Sequence, residues 1–560
     1  MNFNSAQFAL FATVVVGLYL VLANGLRSRR ATNIFLLVSS YIFYAGWDYR
    51  FLFLIIFSTI VDYICGLALG WRLPTRGNCA LLLLLLAIAA LVLCAPISWA
   101  AIYSSLLPAG AFAGGWSEPV AFRVFAPGGK WLTCIGALSA VAALGMAVAI
   151  GRRCPGSLKR QFFLVLSIAA NLGLLGFFKY CDFFLAELES AIYLLGFQPQ
   201  SWRLGIVVPV GISFYTFQTM SYTIDIYRGK LRPTGSLIDF ALFVAFFPQL
   251  VAGPIERAVN LLPQLQRRRP FDWRQFQTGA YLIGWGLFKK IFIADNLIRL
   301  VAMAYGPTAQ PLGPQTLVAT YAFAFQIFCD FSAYSDIARG VARLLGIELM
   351  VNFRVPYIAC NPRDFWRRWH ISLSTWLRDY LYFSLGGSLG TVSATYRNLM
   401  LTMVLGGLWH GARMNFVWWG IFQGLLLCGH RLAEPMLQNI TPRGAAAKRL
   451  FGLLCWIIFF NCVCYGWLLF RAESNQQIWH LTCSLLTGWG QAAEQIGLAA
   501  RLVWFCWPLW LVQYFQVRTG NLLAPLCWAW PVRAAFYFLL FYLTIVFGAF
   551  DAVEFIYFQF

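Results

Sequence analysis

Charge is what this chain has least of. Only 11% of its 560 residues are Asp, Glu, Lys or Arg, where soluble domains carry roughly 25%. With 60% of the residues hydrophobic, the sequence excludes a soluble domain of any size and predicts an all-α polytopic membrane protein. Acid is scarcer still: 21 acidic residues face 42 basic ones, a net charge of +21. In a soluble protein that balance would suggest nucleic acid. Here the basic residues fall in short clusters between apolar runs, as the positive-inside rule predicts, so no nucleic-acid partner is expected and membrane lipid is.

Other absences narrow the chemistry. The fifteen cysteines include no Cys-x-x-Cys pair. Most, such as Cys65, Cys94, Cys329 and Cys464, lie in or beside apolar runs, where a thiol behaves as a small hydrophobe. There is no His-x-x-x-His, no Walker sequence and no dinucleotide fingerprint, so neither a metal nor a permanently bound cofactor is expected. No internal repeat of the transporter kind is visible. The first apolar run, Phe8–Leu22, has no basic segment before it and no clear cleavage site. It is expected to be a retained span with the N-terminus outside and Arg27, Arg29 and Arg30 inside.

What is present reads as three stretches of one integral-membrane domain: N-terminal spans over 1–200, a catalytic core over 201–435 and further spans over 436–560. The first stretch predicts a hairpin of Asn33–Gly46 and Phe51–Gly70, and an outer Pro/Gly-rich loop over 101–130. In the second, Leu204–Ile224 is a span broken at Pro209 and Gly211, and Leu237–Gly253 reads as re-entrant or tilted, tolerable only in protein or along a cavity. Lys289 and Lys290 interrupt Gly279–Leu300 and suit snorkelling or a polar cavity. Asp330 and Asp336 follow the apolar run Leu317–Phe328. They suit a cavity lining, and Ser335 suits the cap of a helix running on to Leu345. The total is about eleven to thirteen membrane segments.

Two of the four histidines lie in Asn361–His410. Read as one helix of roughly 27 Å, residues 364–381 place Trp366, Trp369, His370, Leu373 and Trp376 on one face. Arg367, Arg368, Ser374, Arg378 and Asp379 fall on the other. His410 follows Gly406-Gly-Leu-Trp409 and precedes Gly411, so backbone can approach it closely. A neutral histidine in such a dry setting suits a general base. His370, on the Trp face, suits either a packed histidine or a supporting role. Arg363, Arg367, Arg368 and Arg378 suit an anionic donor, and equally plain positive-inside charge. Ser372, Trp369, Trp409 and Asn415 complete the candidate lining of the site. Gly386-Gly-Ser-Leu-Gly390 has the string of a nucleophile elbow but lacks the strand that motif needs, so it reads as a turn. What remains is direct transfer, in which histidine deprotonates a hydroxyl that attacks an activated acyl group.

The motifs then supply a family. Ser39–Trp47, Pro209–Gln218, Phe246–Ile255, Gln326–Asp336, Phe365–Tyr380 and Gly407–Gly411 resemble the membrane-bound O-acyltransferase family, in particular the bacterial branch that serves alginate O-acetylation. The ending Glu554–Phe560 is similar too, while Phe353-Arg-Val-Pro-Tyr357 departs slightly from the branch. The resemblance implies a helical fold with re-entrant segments around a central funnel or tunnel, with His410 as the catalytic histidine and His370 as the second motif histidine. It further implies acetyl-CoA as a cytoplasmic acyl-donor substrate, and an extracellular or cell-wall polysaccharide acceptor, such as alginate or cellulose, reached directly or through a periplasmic partner protein; the alternatives are a D-alanyl carrier protein serving teichoic acid, acetylation of peptidoglycan, or a non-catalytic transporter of polysaccharide precursors. The place it implies is the bacterial inner membrane.

Overall fold

The computed structural model describes residues 3–25, 28–71, 73–94, 130–198, 200–490, 495–550 and 555–556. Of the outer loop expected over 101–130, residues 101–129 lie outside the described residues and Lys130 already opens a helix; Arg27, Arg72 and most of the Glu554–Phe560 ending also lie outside them. Among the described residues there is no strand. Nine helical stretches are long and apolar enough to cross a membrane, among them Arg29–Leu69, Gly156–Leu194, Gly313–Leu344 and Ala445–Arg471. The chain is thus an all-α, multi-pass membrane protein. The sequence count of membrane segments was higher because it took Arg29–Leu69 as two spans and included the core stretches between Leu204 and Leu300 and those flanking His410. There the chain forms helices that do not qualify as spans.

The described residues fall into two compact units. The first comprises Gly17–Val251 and Glu256–Arg269. Its helices Leu52–Leu69, Gly156–Leu175 and Ile212–Tyr227 enclose a cluster of polar side chains. Buried Asp62 accepts from Ser167 Oγ at 2.5 Å and from Asn171 Nδ2 at 2.8 Å. Asn171 Oδ1 in turn accepts from Ser58 and Thr219 at 3.0 and 3.1 Å. Donors supplied by neighbouring helices replace the water that lipid denies this carboxylate, and so tie the helices together. The expected span Leu204–Ile224 is only partly helical. It begins at Ile212, because Gly211 sits at φ 76° as the cap and the chain before it is not helical. The expected re-entrant stretch is two buried short helices, Leu237–Ala245 and Phe247–Leu250, parted at Phe246 (φ −55°, ψ 108°). Where the hairpin turn was expected, the chain leaves helical geometry at Asp48 (φ −154°), whose carboxylate accepts from Arg50 N–H, and helix resumes at Leu52.

The second unit comprises Asn2–Val16, Ala252–Ile255 and Pro270–Phe560. Its axis is the long helix Gly313–Leu344, which packs against Trp273–Phe288 and Asp295–Tyr305. Two glycines set the first of these packings. A Cβ on Gly279 would lie 2.8 Å from the carbonyl of Gly340, and one on Gly340 would lie 2.7 Å from the carbonyl of Gly279. Lys289 and Lys290 neither snorkel nor face solvent. Lys290 Nζ lies 2.8 Å from both Asp295 and Asp330, and Lys289 Nζ lies 2.7 Å from Asp336 and 2.8 Å from Ser332 Oγ. Ser335 caps nothing. It lies in the middle of the long helix, which runs unbroken through the Asp330–Asp336 segment.

Candidate active site

The motif segment opens with a short helix, Pro362–Trp366. Asn361 caps it by accepting from Asp364 N–H at 2.9 Å, and Pro362 occupies the first turn, where no N–H is required. The helix then stops. The single helix expected over 364–381 is broken at 367–370, and His370 adopts a left-handed conformation, φ 41° and ψ 54°. The break has a partner. The non-helical segment around Asn352 takes the backbone groups a continuous helix would use: Arg354 N–H donates to the Arg368 carbonyl at 3.0 Å, and Ile371 N–H to the Asn352 carbonyl at 2.9 Å. A left-handed non-glycine residue costs about 1–3 kcal/mol and persists only where its surroundings over-determine it. Helix resumes at Ile371–Trp376 and widens into a π-type turn at Leu377–Tyr382.

His410 is the last residue of the helix Val392–His410, and Gly411 leaves it in extended geometry at φ −164°. The adjoining glycines admit one ring. A Cβ at Gly411 would lie 2.1 Å from the Phe416 ring, and one at Gly407 would lie 2.2 Å from the Phe416 carbonyl. Helix Met414–Ile440 therefore packs directly on the helix that ends in His410.

The two histidines meet. Their ring centroids are 6.5 Å apart, His370 fully buried and His410 7% exposed. Aromatic rings surround them. Trp409, Trp419 and Phe470 stand edge-on to His410 at 5.1, 5.2 and 5.4 Å, and Phe331 stands edge-on to His370 at 4.6 Å. His370 lies outside the nine apolar spans. Burial first, then the neighbouring His410, holds its imidazole well below the ordinary histidine range. Trp419 is 1% exposed, and its indole N–H has no hydrogen-bond partner among the described residues, as is also true of Trp366, 5.9 Å away. Asn415 donates to the Phe470 carbonyl at 2.8 Å and leaves its own carbonyl oxygen unpaired. Buried donors rarely stay unmatched, and an indole N–H beside a histidine suits a carbonyl oxygen on which charge develops.

The expected site residues divide into groups. Trp369 and Trp409 join the aromatic surround, Trp369 stacking on Phe365 at 5.7 Å. Ser372 is buried and bonded to Asn352. Asp330 and Asp336 lie in the lysine pairs, with Asp330 also accepting from Ile556 N–H at 2.6 Å. Three of the arginines are paired: Arg363 to Glu434 through two bonds of 3.0 and 2.9 Å, Arg368 to Asp364 at 2.9 Å and Arg378 to Asp379 at 2.7 Å. Arg367 is exposed and has no ion pair among the described residues. It faces a cavity of about 450 Å³ that Arg363, Asp364, His430 and Glu434 also line. Burial keeps the His430 imidazole below its ordinary range, against the pull of Glu434. With both carboxylates engaged by arginines, the unspent charge there is that of Arg367. The Gly386–Gly390 string is a turn, with Gly386 and Gly387 at φ 103° and 56°.

Sequence reasoning missed Asn352, Trp419, Phe470, Glu434 and His430. Two of these left a signal. Asn352 is a polar residue immediately before the noted Phe353–Tyr357 stretch, and Trp419 follows His410 in the same glycine-flanked aromatic run.

Residues 228–469, which contain both histidines, match the MBOAT, membrane-bound O-acyltransferase family. A Pseudomonas aeruginosa protein named as a probable alginate O-acetylase is 35% identical over 482 residues, 86% of this chain and 74% of its own. A Helicobacter pylori peptidoglycan O-acetyltransferase is 35% identical over 59% of this chain and 65% of its own. A Bacillus subtilis teichoic acid D-alanyltransferase is 28% identical over 49% of this chain and 72% of its own. The chain belongs to the membrane-bound O-acyltransferase family.

Proposed function

We propose that this protein transfers an acetyl group from cytoplasmic acetyl-CoA, for O-acetylation of an extracellular or cell-wall polysaccharide of the alginate kind, and that it works in the bacterial inner membrane. The observation that carries the reading is the His370–His410 pair, buried among aromatic rings with rings 6.5 Å apart. In the reaction, His410 takes the proton of an acceptor hydroxyl as the oxygen bonds to the thioester carbonyl carbon. The C–S bond then breaks, and the departing thiolate recovers that proton from His410. The Trp419 N–H donates to the carbonyl oxygen while charge builds on it. No protein nucleophile is required. His370 supports the base from the other side of the pair.

The donor assignment draws on the cavity beside Arg367, whose free guanidinium suits the phosphates of a coenzyme. The acceptor assignment draws on the 35% identity with the Pseudomonas aeruginosa protein over most of both chains. A periplasmic partner protein is a further part of the reading: the first acceptor of the acetyl group is then a hydroxyl of that partner, which passes it to the polymer. The test is transfer from radiolabelled acetyl-CoA by proteoliposomes, with alginate, other polysaccharides and periplasmic fractions supplied as acceptors. Label on a polysaccharide or a periplasmic protein supports the reading. Label only when a D-alanyl carrier protein replaces acetyl-CoA moves the chain to the chemistry of its Bacillus subtilis relative.

A further inference from the structure

His370 is one of three non-glycine residues with positive φ among the described residues, and Val355 is another. The two lie on the two segments of one clamp. Between them run the backbone bonds Arg354 N–H to Arg368 carbonyl and Ile371 N–H to Asn352 carbonyl, which bracket Trp369 and His370. The side chain that completes the clamp is that of Asn352, which is 1% exposed. Its Oδ1 accepts from Ser372 Oγ at 2.6 Å and from Ser372 N–H at 3.2 Å. Its Nδ2 donates to Ser335 Oγ, on the long helix, at 3.1 Å. Ser372 Oγ also accepts from Ile255 N–H at 3.0 Å. Every hydrogen-bonding atom of this one amide is thus spent on residues that flank His370 or anchor its support. Phe353, the next residue, stands edge-on to Trp369 at 5.1 Å.

We propose that Asn352 is the positioning residue that holds His370 in its left-handed turn and so sets its ring spacing from His410. The inference rests on the reading of the two histidines as the reaction centre. Helix is the local alternative for this segment, because short helices lie on both sides of the turn. Without the Oδ1 acceptor, Ser372 N–H and Oγ lose their shared partner, and the turn is free to relax toward helix and carry the His370 imidazole with it. An amide suits the task because it supplies an acceptor and a donor on a short, rigid stem.

The chain holds four histidines, so the imidazole signals of histidine-labelled full-length protein in detergent can be followed by NMR one by one. His370 is identified by the signal lost in His370→Gln. In Asn352→Leu, which fills the space but cannot accept, the His370 signal should move while those of His430 and His480 stay. In Asn352→Asp, which keeps the acceptor, it should return close to its wild-type position. In proteoliposomes, Asn352→Leu should lower kcat about 30-fold with donor KM within about two-fold, and Asn352→Asp should recover to within about three-fold of wild type. Should Asn352→Leu fail to fold, Ser335→Ala removes only the partner of Nδ2 and should move the same signal by less. A His370 signal unmoved in the folded variants overturns the proposal, as does a loss confined to KM. If wild type itself transfers nothing from acetyl-CoA, the donor assignment falls, and the NMR comparison still decides the role of Asn352.

Discussion

Two polar clusters lie buried in this protein, and they are built on opposite plans. In the first unit, Asp62 is held by Ser167 and Asn171, and Asn171 by Ser58 and Thr219. All of these lie on continuous helix, so no backbone strain is involved. In the second unit, His370 and His410 lie at the ends of helical segments, one strained and one followed by an extended glycine. Rings surround them instead of hydroxyls, and the nearby Trp419 N–H is unmatched. A cluster with its donors spent on its own members joins helices. A cluster with strained backbone and an unmatched donor is arranged for something that arrives later. The contrast suits a structural role for the first, and our proposal places the chemistry at the second.

The strongest way to break that contrast is at His410. His410→Ala should lower transfer at least about a thousand-fold, with the thermal midpoint of the purified protein close to wild type. Next comes Trp419→Phe, which keeps the ring and removes the N–H. It should lower kcat about a hundred-fold and leave donor KM nearly unchanged, as expected when a donor acts mainly on the developing charge. Wild-type kcat would remove Trp419 from the mechanism.

Asp62→Leu sharpens the other side. Removing the acceptor leaves Ser167 Oγ with Thr223 alone and Asn171 Nδ2 with the Ser167 carbonyl alone, and should cost about 1–3 kcal/mol of stability. Turnover per folded molecule, counted after size-exclusion chromatography, should stay as in wild type. Reduced turnover in fully folded protein would show that the first cluster also serves the reaction.

The smallest expected effect is in pH. The His370 imidazole is held low by burial and by His410, whereas in the unfolded chain a histidine takes up a proton near about pH 6.5. The folded state therefore binds fewer protons below that value. The stability linked to His370 is full above it and is lost as pH falls through it. The midpoint of thermal unfolding should drop between pH 7 and pH 5, and less steeply in His370→Gln; equal slopes would contradict this account of His370.

The sequence disclosed the elements whose causes are local. Apolar runs marked most of the spans, and Phe365–Tyr380 with Gly407–Gly411 marked the candidate site, whose two histidines the fold brings together. It did not disclose features that depend on distant partners. The break at His370 needs an Asn352 side chain 20 residues from the serine it binds, while the local periodicity of 364–381 pointed to one helix. Lys290 pairs with Asp330, 40 residues on, as well as with nearby Asp295, and the first of these partners is not visible in the local sequence. Trp419 sits on a helix whose neighbour is fixed by Gly407 and Gly411, and that close approach is visible only once the helices are packed.

The central claim is that His410 moves the proton in direct acyl transfer. Its most direct test is a single-turnover measurement of radiolabelled acetyl transfer in proteoliposomes, wild type against His410→Ala, at matched amounts of folded and inserted protein. The account predicts that label reaches acceptor in wild type and stays on the donor in the variant. Label reaching acceptor at comparable rates in both would contradict it.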